Sequence, residues 1–260
     1  MKKRWRNSLW IVWILWMVLP MTSIAETQIG GMTVDQAFPD ARVAKLVKAV
    51  THGNYAEADK QIKQGADVNY IGTEGISPLL WAVFVWHEET HDLRGVEYLL
   101  KAGADPNYRD SKEKNSAMYF AAGTDDPALL ELLLKYKGDP NLLAPFNEPL
   151  LHVAVGQRRK ANIELLLKNG ADINVRRDGS TAAQKAAYLG RFDLVALFLD
   201  RGMSYDLQGL AASVEAAQVS PTSEQQHWKD KVIEMLKARG ATFPAFIPKK
   251  TPKLDLPDKF

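Results

Sequence analysis

Five consecutive residues of this chain have the types and spacing for metal chemistry. His87-Glu88-Glu89-Thr90-His91 is an H-E-x-x-H string. On an α-helix that spacing sets two imidazoles on one face as zinc ligands, with the glutamate as general base of a zinc hydrolase. A catalytic zinc also needs a third protein ligand. His91 is followed by Asp92-Leu93-Arg94-Gly95, with no histidine at the spacing a third imidazole requires. Asp92 or Glu97 could complete an adventitious surface site, but the string reads more simply as a solvated helix end or exposed polar loop. His52 and His227 have no neighbours that suggest metal or acid–base work. No glycine-rich phosphate loop, nucleophile elbow or paired-carboxylate arrangement stands out. The chain has no cysteine, which excludes disulfides, thiol chemistry and a lipoprotein signal. The sequence thus predicts no catalytic residue, no metal ligand and no cofactor.

The elements that would position any site are repeated. Leu165-Leu166-Leu167-Lys168-Asn169-Gly170-Ala171-Asp172-Ile173-Asn174 recurs, with small changes, at 98–107 and 132–141. Gly65-Ala66-Asp67-Val68-Asn69 opens the series, and decayed versions sit at Gly202-Met203 and Gly240-Ala241. The positions equivalent to Gly170 are 65, 103, 137, 170, 202 and 240, in steps of 38, 34, 33, 32 and 38. Each unit has a physical logic. Small alanines let two helices approach closely, and leucines supply a buried stripe. A glycine after the second helix suits a left-handed cap, and the Asp and Asn beyond it favour a turn. Asp126-Pro127 is an N-cap followed by proline at the first helical position. No unit buries its apolar face alone, so neighbours must stack.

A period near 33 resembles that of the ankyrin-repeat family. Repeats of that family open on Thr-Pro-Leu-His-x-Ala. The matches here are Ser77-Pro78-Leu79-Leu80-Trp81-Ala82, Ser116-Ala117-Met118-Tyr119-Phe120-Ala121 and Thr181-Ala182-Ala183-Gln184-Lys185-Ala186. Glu148-Pro149-Leu150-Leu151-His152-Val153-Ala154 keeps Leu-His-x-Ala with the proline one place late. From that Ala to the Gly position is 16 residues in units three to five but 21 in unit two, a five-residue insertion that contains the H-E-x-x-H string. The resemblance covers roughly residues 41–242. It implies an all-α solenoid of about six antiparallel helix pairs with projecting hairpin loops, called fingers below.

In chain order, Lys2, Lys3, Arg4 and Arg6, an apolar run from Leu9 to Leu19, Pro20 and Ser23-Ile24-Ala25 read as a signal peptide (1–25) cleaved after Ala25. The apolar run is short for a spanning anchor. Cleavage removes four of the 33 basic residues and none of the 31 acidic ones, leaving a net charge of −2. A nucleic-acid footprint or a general preference for membrane surfaces is therefore not expected. Residues 26–40 read as a lead-in with one short helical turn. The array runs over 41–243, in units of about 41–69, 70–107, 108–141, 142–174, 175–206 and 207–243. Helices are expected over 41–51, to Gln64, over Leu210–Gln218 and over His227–Ala238. Residues 244–260, with four prolines and four lysines, read as a disordered or extended tail.

The family resemblance implies that a protein partner docks on the finger tips and on the inner-helix, concave face. Carried onto this sequence, those positions are Thr73, Glu74, Ile76, Phe84 and Val85 in unit two, and Lys112, Glu113 and Asn115 in unit three. Unit four offers Leu142, Leu143, Pro145, Phe146, Glu148 and Gln157, and unit five Arg177, Asp178, Ser180 and Tyr188. The finger Leu142-Leu143-Ala144-Pro145-Phe146 is unusually apolar, so it either contacts a partner or packs on the adjoining finger. Trp81 and Phe120 align with a normally buried position, and Trp86 suits either role. His152 holds the family's repeat-opening position, where the imidazole bonds the neighbouring hairpin. The function implied is non-catalytic protein binding in the bacterial periplasm. By analogy with family members, two jobs fit: an immunity protein that neutralises an effector such as a type VI secretion phospholipase, or a scaffold protecting an envelope enzyme such as a catalase under oxidative stress.

Overall fold

The computed structural model describes residues 28–245, Gly30 excepted. The expected signal peptide and residues 246–260 of the expected tail lie outside the described residues. The chain enters through a small antiparallel hairpin, β1 (Gln28–Ile29) with β2 (Met32–Thr33), which sequence reading did not anticipate. The expected single turn follows as α1 (Val34–Ala37), held by a reciprocal capping box between Thr33 and Gln36. Phe38, 1% exposed, meets the Trp81 ring edge-on at 5.8 Å, so the lead-in plugs the open end of the stack.

Six helix pairs follow among the described residues. They are α2 (Ala41–Thr51) with α3 (Tyr55–Lys63), α4 (Pro78–Val85) with α5 (Arg94–Lys101), and α6 (Ala117–Gly123) with α7 (Pro127–Lys135). The rest are α8 (Leu150–Gly156) with α9 (Lys160–Lys168), α10 (Ala182–Tyr188) with α11 (Phe192–Asp200), and α12 (Leu207–Ala216) with α13 (Glu224–Lys237). The helix expected over 41–51 has those bounds, with Asp40 as its N-cap, and the one expected to reach Gln64 ends at Lys63 with Gln64 as its C-cap. The last two begin three residues earlier than expected, at Leu207 and Glu224. The first helices of the pairs stack in series, α2 on α4 through to α12. Ala121, Ala154 and Ala186 are fully buried in that stack, so their small side chains set the close approach. Leu129, Leu130 and Leu133 of α7 and Ile163 and Leu166 of α9 are also fully buried, forming the expected apolar stripe.

Glycine holds a left-handed conformation after the second helix at 65, 103, 170, 202 and 240. Unit three places Lys137 there at φ 69°, a conformation that costs a side chain what glycine avoids. The Asp and Asn beyond this cap do more than turn the chain. In four units the Asp carboxylate accepts from the Asn amide two residues on (2.8–2.9 Å). The Asn side chain then bridges to the next unit. Asn69 Nδ2 donates to the Gly103 carbonyl at 3.0 Å while its Oδ1 accepts from the Asp105 amide at 2.8 Å. Asn107 and Asn141 repeat the bridge one and two units along. This ladder ends at Asn174, which accepts from Ser204 and Tyr205 where the Asp-x-Asn pattern is lost.

Of the two readings of the insertion in unit two, the solvated helix end is the one the structure shows, and not the exposed loop. Residues Trp86–Thr90 continue α4 as a widened π-helical turn, which absorbs extra residues within a helix. His91 ends it in a left-handed conformation (φ 50°), outside the helix. His87 Nδ1 lies 3.0 Å from Glu88 Oε1 on the surface. The regular helical turn on which an H-E-x-x-H centre depends is absent from this string. Among the described residues no three of His, Cys, Asp and Glu converge on a metal-sized space.

Candidate protein-binding surface

The fingers lead directly into the first helices of the pairs. In unit three, buried Asp110 shapes the finger: its Oδ1 accepts from the amides of Lys112, Glu113 and Lys114, and Oδ2 from that of Asn115. This presents Lys112 and Glu113 to solvent, with Asn115 half-buried. Lys112 reaches Glu74 of the preceding finger at 3.2 Å. Thr73 is exposed but tied to the Gln36 carbonyl at 2.7 Å. Ile76 and Val85, expected on this face, are instead buried at 9% and 4% exposure. Ile76 sits where the finger turns back into α4, and Val85 points to the core from its last turn, so neither offers a surface.

In unit four, β3 (Leu143–Ala144) pairs with β4 (Glu148–Pro149), and Pro145, Phe146 and Asn147 make the tip. The two sequence readings of this finger divide by residue. Leu142 packs partly against the core, and the half-buried Leu143 offers its carbonyl to Arg109 at 3.0 Å. Phe146, by contrast, stands 87% exposed, at φ 59°. In unit five, β5 (Arg176–Arg177) pairs with β6 (Ser180–Thr181), leaving Asp178 and Ser180 exposed.

The first helices add a row two residues beyond each buried alanine: Phe84, Gly123, Gly156 and Tyr188. Tyr188 is 86% exposed and Phe84 half-buried, with two glycines between them. A side chain at Gly156 would meet Lys185 Nζ at 3.0 Å, and one at Gly123 would meet Gln157 Cγ at 3.7 Å. Phe120, expected in the core, is only half-buried; it meets Phe84 edge-on at 4.7 Å and Tyr119 at 5.2 Å. Trp81 and Trp86 are both buried.

Between units four and five lies a cluster that sequence reading found only in part. Glu148 Oε2 accepts from Arg177 at 2.9 Å, and Oε1 from Lys185 at 2.7 Å. Lys185 also donates to the carbonyl of His152 at 2.9 Å. Glu148 and Arg177 were expected on this face; Lys185 was missed, because it aligns with the apolar positions Trp81, Phe120 and Val153. Its presence as a lysine in Ala-Ala-Gln-Lys-Ala-Ala was the available signal.

His152 bonds the neighbouring hairpin as expected, with Nε2 at 3.2 Å from the Val175 carbonyl. Burial holds this imidazole below its usual pKa of 6.5. Below that pH the unfolded chain takes up a proton that the folded chain refuses, so this contribution is complete above about pH 6.5 and is lost as pH falls through it. Urea midpoints should therefore drop between about pH 7.5 and 5.5, and His152→Gln should flatten that slope. An unchanged slope in the variant would locate the pH dependence elsewhere.

No helix among the described residues is long and apolar enough to cross a membrane. Comparison with known proteins agrees with the repeat geometry. A family profile described as ankyrin repeats (3 copies) matches residues 118–209, and one described as ankyrin repeats (many copies) matches 84–134. The chain is 33% identical to protein lin-12 of Caenorhabditis elegans over 52% of its own length, but over 9% of that relative. It is 32% identical to the E3 ubiquitin-protein ligase KEG of Arabidopsis thaliana over 35% of its length and 6% of the relative's. A putative ankyrin repeat protein of fowlpox virus is 26% identical over 62% of this chain and 48% of its own. The chain thus spans less than half of each of these relatives. The helix pairs and fingers fall within the same residues as those matches: residues 84–209 carry ankyrin-type repeats, and the described residues form an all-α repeat solenoid.

Proposed function

We propose that this chain is an exported, non-catalytic binder that grips one protein partner on its finger-and-first-helix face and neutralises it, as an immunity protein does a secreted effector. The observation that carries the choice of face is the pair Phe146 and Tyr188, at 87% and 86% exposure, on adjacent units. Aromatic side chains dominate interface hot spots, and folding alone gives these two little reason to stand in water. Export rests on the charged and apolar run of residues 1–25, and the periplasm is the compartment it implies. The effector reading, with a lipase-type enzyme as target, rests on the family resemblance.

The test is affinity capture by the mature protein from its own cells and from cells that attack them, beside the double variant Phe146→Asp with Tyr188→Asp. The intact N-terminus of the recovered protein should be Glu26. One enzyme should be captured by the wild type, lost by the double variant, and inhibited in the complex. Capture of a catalase that stays active would replace neutralisation with protection. Equal capture by the double variant would move the site off this face.

A further inference from the structure

One pattern recurs in the second helices of three successive units: Glu97-Tyr98-Leu99-Leu100-Lys101, Glu131-Leu132-Leu133-Leu134-Lys135 and Glu164-Leu165-Leu166-Leu167-Lys168. Unit five reads Ala196-Leu197-Phe198-Leu199-Asp200 at the same place and keeps neither the Glu nor the Lys. Leu99, Leu133 and Leu166 are buried in the stack, whereas Leu132 and Leu165 are half-buried. With Leu93 and Ala128, these two line a groove of about 610 Å³ along α5, α7 and α9. Glu97, Glu131, Lys135 and Lys168 line it too.

A Glu four residues before a Lys can pair within its own helix. Glu97 does so with Lys101 at 3.2 Å, and Lys135 reaches across to Glu97 at 3.7 Å. Glu131, Glu164 and Lys168 do not: among the described residues they have neither ion pair nor hydrogen bond. The apolar floor thus lies among charges of both signs that the chain itself leaves unmatched. The pattern is also directional. Each segment runs from acid to base, so two such segments lying antiparallel set every Glu against a Lys. The second helices of one solenoid run parallel, and the chain cannot make that match with itself. A copy related by a two-fold axis normal to the face makes it by symmetry, each surface being its own complement.

We propose that a second copy of this chain lies on the groove, with the second helices of the two copies antiparallel. Leu132 and Leu165 of each copy cover one another, and each Glu of the pattern meets a Lys of the other copy. The complement that the groove requires, apolar residues flanked by the same charges in reverse order, is the groove itself, which favours self-association over an unrelated partner. Three helices of eight or nine residues make a small patch, so the pair is weak and exchanging. The contact uses the second helices and is independent of the finger-and-first-helix binding proposed above.

The experiment places photo-cross-linking benzoylphenylalanine at Leu132 in the full chain, expressed in its own cells under two different tags. Irradiation should join the two tags in a species of twice the chain's mass. Glu131→Lys with Glu164→Lys, and separately Lys135→Glu with Lys168→Glu, should each cut that product about tenfold or more, because like charges then face each other. Expressed together, the two reversed forms should recover it as a mixed pair, which misfolding of either form would not allow. Cross-links from Leu132 to a different protein alone would overturn the second copy. Full yield from either reversed form by itself would overturn the antiparallel register. A mixed pair that fails to recover, while both forms melt as the wild type does, would overturn the charge match.

Discussion

Leu166→Ala is expected to lower the unfolding free energy by about 2–5 kcal/mol, the range for truncating a fully buried leucine. Leu166 is completely enclosed in α9, with Ile163 on the same stripe, whereas Leu165 and Leu167 are only half-buried. Leu167→Ala removes the same atoms from a site open to water and should cost less than half as much. The contrast between adjacent leucines tests the repeat register, because a shift by one residue would exchange their burial. Equilibrium denaturation in urea reads both, from the midpoint and its slope. In a stack where each unit leans on its neighbours, a loss in unit four should also weaken units three and five. Amide exchange in α7 and α11 should then quicken in Leu166→Ala. Equal costs for the two variants would reject the register.

Periodicity made much of this fold legible. Alanine and leucine spacing placed the helix pairs, and Asp126-Pro127 marked the start of α7. Less legible was anything that joins one unit to the next. Asp-x-Asn was read as a local turn, yet its Asn directs its amide to the following unit some 30 residues away. Asn162 gave no sign that its Nδ2, fully buried, would meet the carbonyls of Ala121, Ala122 and Thr124 at the end of α6. Such contacts have no period within a unit, so no pattern along the chain exposes them. The π-helical turn at Trp86–Thr90 was hidden for a related reason: five added residues are equally compatible with a loop and a widened helix. At the candidate site, alignment to the repeat found the exposed finger residues. It could not see that Ile76 and Val85 turn inward, or that Lys185 leans over Gly156 to reach Glu148.

Phe146→Asn should move stability and binding in opposite directions. Phe146 holds φ 59° and ψ 26°, a left-handed conformation that costs an L side chain roughly 1–2 kcal/mol and that asparagine tolerates far better. Burial does not offset that cost, since the ring is 87% exposed. The shorter amide side chain follows the turn with little strain, so the variant should be about 1 kcal/mol more stable, a rise of roughly 2–4 °C in Tm for a domain of this size. Partner affinity should fall by about 30-fold or more, the loss of one aromatic hot spot. A fall in Tm would mean that the ring packs after all and the finger is structural. A higher Tm with unchanged affinity would leave the strained phenylalanine without a use on this face. Only the opposed pair of changes marks a residue kept despite its cost to stability, and that trade is the physical signature of a contact made for something outside the chain.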